Sequence, residues 1–186
     1  MPRASGKKQD SKHEILVAAL DLVRKAGPPA LTLDAVAEAA GFSKGGLLYN
    51  FPSKDALITG MVQFLAGQFE AEIEAAKQNA ANSKAPTLSA MIDVTDGWIR
   101  QQRDVARAIL PATADKPELT APFMAVKLRL KQAIEAETTN LGAAWSIWTC
   151  LEGLHFSEAH SVSVLSDDDR IAVFKDLRNR LNELNN

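Results

Sequence analysis

The sequence predicts an all-α fold. Apolar residues recur at spacings of three and four along most of the chain, which is the periodicity of helices that bury one face. No segment alternates apolar and polar residues for long, and no Asn-Gly or Asp-Gly turn joins two alternating segments, so strands are not expected. Serine or threonine before the apolar runs, with glycine or proline after them, divides the chain into separate helices.

Four helices are expected in the first 80 residues. Ser11, with Glu14 three positions later, forms a capping box for the first helix, which leaves residues 1–10 as a flexible basic arm. Thr32, Ser43 and Ser53 are placed to cap the next three helices. The expected helices are Ser11–Ala26, Leu33–Ala40, Lys44–Asn50 and a long helix that follows Ser53 and ends near Ala80.

The remainder of the chain also has helical periodicity. Prolines at 111, 117 and 122 predict that Ala112–Pro122 is an irregular loop. Ser166, followed by three aspartates, is typical of a helix N-terminus, where the helix dipole favours acidic side chains. The expected helices are Leu88–Ile99, Val105–Leu110, Phe123–Ile134, Leu141–Ala159 and Asp167–Asn186.

Charge is unevenly distributed along the chain. Residues 1–54 hold eight lysines and arginines against five acidic residues, whereas the other residues hold thirteen basic and eighteen acidic side chains. A basic N-terminal part on a chain of net charge −2 indicates an end that contacts nucleic acid.

The cysteine content and the length of the apolar segments indicate the cellular compartment of the protein. Cys150 is the one cysteine, so no disulfide can form within the chain, and the polar N-terminus lacks the apolar segment of a signal peptide. The longest nearly apolar run, Leu141–Leu151, is much shorter than the ~20 residues that span a bilayer. We therefore expect a soluble, cytoplasmic protein without a membrane segment.

The segments Leu33–Ala40 and Lys44–Asn50, joined by a short glycine-containing turn, have the sequence form of a helix-turn-helix. In such a unit, the N-terminal end of the second helix enters the major groove of DNA. Gly45 and Gly46 lie in the first turn of that helix, although each costs a helix roughly 1 kcal/mol relative to alanine. Because glycine has no Cβ, this helix tip can approach phosphates and base edges closely. The alternative interpretation is that the glycine pair simply marks a loop.

Residues 11–60 resemble the DNA-binding domain of the TetR family of bacterial transcriptional regulators. The segment LTLDAVAEAAGFSKGGLLYNFPSKDAL, Leu31–Leu57, carries the resemblance. Its first part is similar to the family pattern Thr-x-x-x-(Ile/Val)-Ala-x-x-Ala-Gly-(Val/Phe)-Ser, and its second part to Tyr-x-x-Phe-x-Ser-Lys-(Glu/Asp)-x-Leu. The resemblance implies a helix-turn-helix DNA-binding domain over residues 1–55 and a helical dimerisation and effector-binding domain over residues 56–186. It also implies a repressor.

The resemblance further implies which residues contact double-stranded DNA. Lys44, Gly45 and Gly46 would lie nearest the base edges, and Ser43 would cap their helix. Tyr49, Asn50 and Lys54 would anchor phosphates. The implied DNA-binding residues are Thr32, Ser43, Lys44, Gly45, Gly46, Tyr49, Asn50 and Lys54. The chain departs from the family pattern at Leu48, where the family usually has tyrosine, so either Tyr49 takes over that phosphate contact or the contact is missing.

A second subunit is expected on the helix Leu141–Ala159. This helix is apolar almost all round and needs cover on every side. By resemblance, it pairs with Asp167–Asn186 and the copies of both helices, giving a homodimer that binds a palindromic operator. The alternative is that Leu141–Ala159 is the central core helix of a monomer.

The resemblance also implies a small-molecule pocket whose occupancy alters the spacing of the two DNA-binding heads. We expect the effector to relieve operator binding, with co-repression as the alternative. The candidate lining residues are Met91, Thr95, Trp98, Phe123, Met124, Trp145, Trp148 and His155. These side chains predict a mainly apolar pocket and a small apolar or aromatic effector. Two alternatives remain: these residues are ordinary core, or the protein is a DNA-binding dimer that a protein partner or its own concentration controls.

Sequence signals of catalysis are weak. Glu152 and His155 have the Glu-x-x-His spacing of di-iron bundles, but those sites need a second such pair. Cys150 and His155 lie about 140° apart around a helix, so they do not form a nucleophile–base pair. No glycine-rich phosphate loop and no Gly-x-Ser-x-Gly motif occurs. We therefore expect neither an enzyme nor a bound metal or cofactor.

Overall fold

The structure is a computed structural model that describes residues 4–80 and 83–184, apart from the side chains of residues 4–9, 115 and 183. The described residues form eight α-helices and two 3₁₀ turns and contain no strand, which confirms the predicted all-α class. None of these helices combines the length and apolarity needed to cross a bilayer. The helices are α1 Ala4–Ala26, α2 Leu33–Ala39, α3 Lys44–Asn50, α4 Lys54–Asn79, α5 Pro86–Asp115, α6 Ala121–Glu137, α7 Leu141–Ala159 and α8 Asp167–Leu184.

The described residues divide into two compact units. The first unit contains the chain up to Ala66 together with Asp104–Phe123, and the second contains Gly67–Arg103 and the chain from Met124 onward. Residues of α4 and α5 therefore occur in both units. The domain boundary that the sequence places after residue 55 stays a prediction.

In the first unit, α1 packs against α2 and α3. The buried apolar positions follow the spacing that the sequence predicts, and they include Ile15, Ala19, Val23, Val36, Ala37, Leu47, Leu57 and Met61. The capping predictions are confirmed at three helix starts. Thr32 Oγ1 accepts a hydrogen bond from Ala35 N at 3.2 Å, and Ser43 Oγ accepts one from Gly46 N at 3.1 Å. Ser53 Oγ accepts one from Ala56 N at 3.1 Å.

The first helix begins earlier than the sequence suggests. α1 starts at Ala4 rather than Ser11, so residues 4–10 of the expected arm are helical. Lysine and glutamine at positions 7–9 are good helix formers, and they allow the helix to extend beyond the potential capping box at Ser11. Arg3 of the expected arm lies outside the described residues.

The structure also corrects the expected loop at Ala112–Pro122. α5 is continuous from Pro86 to Asp115 and contains Pro111, and a 3₁₀ turn over Pro117–Thr120 leads into α6. Proline removes one backbone hydrogen bond, but it does so close to the end of the helix. Val105, Ile109 and Thr113 are buried at four-residue spacing on either side of Pro111. This buried face maintains the helix past the proline.

The second unit has its own buried core. α7 packs against α8, and the buried core residues include Leu88, Ile92, Val126, Leu130, Ile134, Ile147, Leu151, Phe174 and Leu177. The start of α5 is held by α6, because Glu137 Oε2 accepts a hydrogen bond from Thr87 N at 2.9 Å and Oε1 accepts one from Thr87 Oγ1 at 2.5 Å. Ser166 caps α8 as expected, because its Oγ accepts a hydrogen bond from Asp169 N. Asp169 completes a reciprocal capping box by accepting a hydrogen bond from Ser166 N.

Gly60 marks a close approach inside the first unit. A Cβ at Gly60 would lie 2.7 Å from Phe51 Cε1 and 3.2 Å from Leu16 Cδ2, and both neighbours are buried. We expect Gly60→Ala to lower the free energy of unfolding, because overpacking costs about 1–3 kcal/mol and exceeds the helix-propensity gain of about 1 kcal/mol. Urea denaturation measures this change. The matched control is Gly67→Ala on the same helix, where a Cβ meets open space and a gain in stability is expected. Equal stabilisation by both substitutions would contradict the close approach.

Candidate functional site

The tip of α3 is exposed at the surface of the first unit. Gly41 has a φ of +71°, a left-handed conformation that glycine adopts readily, and it turns the chain from α2 towards α3. Ser43 then caps α3. Ser43, Lys44 and Gly45 are exposed, and Gly46 is half-buried.

The two glycines of this tip have different structural environments. A Cβ at Gly46 would lie 3.3 Å from Ser43 Oγ and would crowd the capping hydroxyl, so the fold itself favours glycine there. A Cβ at Gly45 would have no heavy atom within 4 Å. Packing in the protein therefore does not account for Gly45, whereas an approaching partner at the helix tip would.

Lys44 is paired in this structure. Its Nζ lies 2.9 Å from Asp34 Oδ1 and 3.1 Å from Asp34 Oδ2, and both side chains are largely exposed. The ion pair joins the first turn of α2 to the first turn of α3. Because an exposed pair of this kind contributes little to stability, Lys44 can exchange the Asp34 carboxylate for another acidic partner at small cost.

The other predicted DNA-binding residues have different exposures. Tyr49 is 72% exposed, and Thr32 and Lys54 are also exposed, so all three are accessible to a partner. Lys54 is the first residue of α4, next to the Ser53 cap. Leu48, the position that departs from the family pattern, is half-buried.

Asn50 differs from its predicted role. It is only 8% exposed, and its Nδ2 donates a hydrogen bond to the carbonyl oxygen of Gly46 at 3.0 Å. A side chain buried in this way cannot reach a phosphate. Asn50 instead holds the last turn of α3 to the glycine tip, and the sequence could not reveal this because burial depends on how α3 packs.

One face of α7 is exposed. Its exposed residues follow helical spacing, and a Cβ at either of its glycines would meet open space. We call this surface the α7 outer face, and its residues are Gly142, Ser146, Thr149, Gly153 and Phe156. Four of these five residues have small side chains and the Phe156 ring is 59% exposed, so a second helix could approach this face closely.

A groove of about 410 Å³ lies between α4 and α5 in the second unit. We call it the α4–α5 groove, and its lining residues are Glu72, Ala75, Ala76, Asn79, Asp93, Val94, Gly97, Trp98 and Gln101. Trp98 Nε1 donates a hydrogen bond to Glu72 Oε2 at 2.7 Å, and Trp98 packs edge-to-face on Phe69 with ring centroids 5.0 Å apart.

Of the eight residues predicted to bind an effector, only Trp98 lines the α4–α5 groove. Met91 and Thr95 are buried on α5, and Met124 is 49% exposed. Trp145 and Trp148 contact one another on α7 with centroids 6.1 Å apart. Phe123 belongs to the first unit, whereas the other seven belong to the second. The polar lining residues were missed, because their sequence positions resemble any exposed polar position of a helix.

The surroundings of His155 favour its neutral form. Burial lowers the pKa of His155 below its ordinary value of 6.5, the nearby Lys127 ammonium lowers it further, and the Glu152 carboxylate raises it in part. Lys127 and Glu152 form an ion pair at 2.6 Å. Among the described residues, no group of three or more His, Cys, Asp and Glu side chains could hold a metal ion.

The lowered pKa of His155 predicts a pH dependence of stability. Below about pH 6.5 the unfolded chain binds a proton at this histidine more readily than the folded chain. The contribution of neutral His155 is therefore complete above pH 6.5 and is lost as the pH falls towards the lower folded pKa. Urea denaturation of wild type and His155→Asn between pH 8 and pH 5 should show a weaker pH dependence of the free energy of unfolding in the variant, because the variant lacks the proton uptake at this histidine on unfolding. An unchanged pH dependence of stability in His155→Asn would contradict this prediction.

Comparison with known proteins covers both parts of the chain. Residues 15–61 match the family model described as bacterial regulatory proteins, tetR family. Residues 85–182 match the model described as tetracyclin repressor-like, C-terminal domain.

Individual relatives agree with these matches. The nucleoid occlusion factor SlmA of Marinomonas sp. strain MWYL1 is 26% identical over 136 residues, which cover 70% of this chain and 68% of that protein. The HTH-type transcriptional regulator RutR of Escherichia coli K12 is 39% identical over 70 residues, which cover 38% of this chain and 33% of RutR. A crystal structure of a proposed TetR-family regulator from Mesorhizobium loti matches with a TM-score of 0.67 over 96% of both chains, at 15% identity. At that identity, the likeness shows the fold alone.

Proposed function

Because the chain belongs to the TetR family and is therefore a DNA-binding transcriptional regulator, we propose that it is a homodimeric repressor whose operator binding a small molecule relieves. The observation that carries the DNA-facing part of this proposal is Gly45. It lies at an exposed helix tip and has open space where its Cβ would be. We place its action in the cytoplasm and expect no catalytic activity.

The proposed DNA contacts come from residues 1–55. Lys44, Gly45 and Gly46 lie at the end of α3 that would enter the major groove, and Ser43 fixes that end through its capping hydrogen bond. Thr32, Tyr49 and Lys54 are exposed and would contact phosphates. For Lys54, the positive end of the α4 helix dipole adds to the attraction for phosphate.

The proposed dimer interface combines the α7 outer face with α8. The expected second helix, Asp167–Asn186, is described up to Leu184. A two-fold axis through this interface would present two α3 tips to two half-sites about 34 Å apart, or at a longer fixed spacing. This arrangement corresponds to a palindromic operator.

The proposed effector binds in the second unit and favours the protomer spacing that does not match the operator. Linkage makes the effect reciprocal: the ligand weakens DNA binding as much as DNA weakens ligand binding. The coupling free energy is typically about 1–3 kcal/mol. An aromatic or apolar part of the effector would contact Trp98. If operator release depended only on protein concentration or on a protein partner, this result would contradict effector control. It would not contradict the DNA-binding dimer.

Selection of bound sequences from a random duplex library tests the DNA-binding dimer directly. We expect an enriched motif with two-fold symmetry, and sedimentation should give two protein chains, or a multiple of two, on each selected duplex. An enriched motif without symmetry, bound by one chain, would contradict the proposal.

We expect Lys54→Ala to weaken binding to every duplex by a similar factor, because a phosphate contact carries no sequence information. The dependence of log K on log salt should flatten by about 1 for each subunit bound. Fluorescence anisotropy titrations of the selected operator and a scrambled duplex, at several salt concentrations, measure both effects. Lys25→Ala, at an exposed position of α1, is the matched control. Loss of operator preference with unchanged affinity for the scrambled duplex would contradict a phosphate role.

A further inference from the structure

We propose that the α4–α5 groove binds a small organic cation with a planar apolar body. This inference rests on the proposed effector control and assigns a chemical class to the effector. It differs from the sequence-based expectation of a mainly apolar pocket, because the groove contains acidic and amide side chains beside its one aromatic ring.

The charged lining of the groove favours a cation. Glu72 on α4 and Asp93 on α5 line it, and no lysine or arginine is among the lining residues. An anion would be repelled, and a neutral apolar ligand would take water from two carboxylates without replacing its hydrogen bonds. An amidinium, guanidinium or ammonium group would donate charge-assisted hydrogen bonds to them instead.

Trp98 is only 5% exposed and forms the apolar inner wall of the groove. Its Nε1–H is already donated to Glu72 Oε2, and its edge-to-face contact with Phe69 fixes the ring from another side. The ring orientation is therefore set before a ligand arrives. A planar ligand can bury an apolar edge against the exposed part of the indole while its charged group meets the carboxylates. Within the described residues, Glu72 Oε1 has no hydrogen-bond partner and can accept from the ligand.

Asp93 connects the groove to α8. Arg178 Nε and Nη2 both donate to Asp93 Oδ1, each at 3.1 Å. Within the described residues, Asp93 Oδ2 has no hydrogen-bond partner, so a cation in the groove can bind it. The cation and Arg178 would then share one carboxylate. Because the cation would weaken the attraction between Asp93 and Arg178, the ligand would act directly on α8, a helix of the proposed dimer interface.

Indole resonances provide a local test in the intact chain. The protein has three tryptophans, so a ¹H–¹⁵N spectrum has three indole signals, and the Trp98→Phe spectrum identifies the one from Trp98. The probes are benzamidine, a planar cation, and benzamide, a neutral molecule of nearly the same shape. We expect benzamidine to shift the Trp98 signal to saturation, with benzamide binding at least about 5-fold more weakly.

Substitutions at the groove separate charge from shape. Asp93→Asn should weaken benzamidine binding about 5-fold, and Arg178→Met should strengthen it about 3-fold by releasing Asp93 from its ion pair. Glu74→Gln is the matched control on α4, because Glu74 pairs with Lys77 and does not line the groove. Equal binding of benzamide and benzamidine, or shifts confined to Trp145 and Trp148, would overturn the inference.

Operator binding, measured on the same preparations, distinguishes this inference from the proposed function. Benzamidine binding with the expected charge dependence but unchanged operator affinity would support the cation site and contradict effector control through it. Operator release by a neutral apolar compound, with no benzamidine effect on Trp98, would overturn the cation site and leave the proposed repressor standing.

Discussion

Gly45→Val is expected to lower operator affinity by about 10- to 100-fold, which corresponds to about 1.4–2.8 kcal/mol. Gly45 is exposed in the first turn of α3, the part of a helix-turn-helix that lies against base edges. A branched side chain at that position would separate the helix tip from the groove. It would also remove the DNA contacts that we propose for the neighbouring Lys44.

The same substitution should not damage the protein itself. No heavy atom lies within 4 Å of a Cβ at Gly45, so valine meets no neighbour in the fold. Valine is also a better helix former than glycine by a few tenths of a kcal/mol. Affinity should therefore fall while the free energy of unfolding stays the same or rises slightly, which is the combination expected of a glycine retained for binding.

Anisotropy titrations of the selected operator, together with urea denaturation, measure these two quantities. Gly67→Val is the matched control, since it places the same side chain in open space at a position of α4 that is outside the proposed DNA interface. Gly46 is less informative, because a side chain there would crowd Ser43 Oγ and disturb the cap. Unchanged operator affinity in Gly45→Val would show that the α3 tip does not enter the groove.

Local signals explain which parts of the fold the sequence predicts well. The starts of α2, α3 and α4 follow Thr32, Ser43 and Ser53, whose hydroxyls make the capping bonds within three residues of themselves. The length of α5 was mispredicted because it depends on long-range packing rather than on local signals. Proline is a strong local stop signal, but the burial of Val105, Ile109 and Thr113 depends on residues far away in sequence and overrides it.

The candidate sites likewise divide into features that local sequence determines and features that long-range packing determines. The exposed glycine tip of α3 follows from a motif within one short segment. The Lys44–Asp34 ion pair joins two helices, and the burial of Asn50 depends on how α3 packs. The α4–α5 groove depends on how two long helices are rotated relative to each other. Glu72 and Asp93 face one cavity only because of that rotation, which no pattern within either helix encodes.

Gly153→Glu is expected to convert the dimer into monomers and to reduce operator affinity by at least about 100-fold, since linking two binding heads commonly contributes a factor of 10²–10⁴. Gly153 is exposed on the α7 outer face, where a side chain meets open space within the protomer. In the proposed dimer, two copies of α7 approach each other at this face. The substitution would bury two glutamates without counter-charges, which is strongly unfavourable.

Sedimentation equilibrium and operator titrations measure this prediction, and far-UV circular dichroism shows whether the protomer remains helical. Gly67→Glu, which adds the same charge at an exposed glycine of α4, should remain dimeric and bind the operator normally. The folded monomer should retain weak, non-specific DNA binding, because its α3 tip and Lys54 are unchanged. A Gly153→Glu protein that stays dimeric and binds the operator with wild-type affinity would place the subunit interface elsewhere, and the α7 outer face would then need another explanation for its small residues.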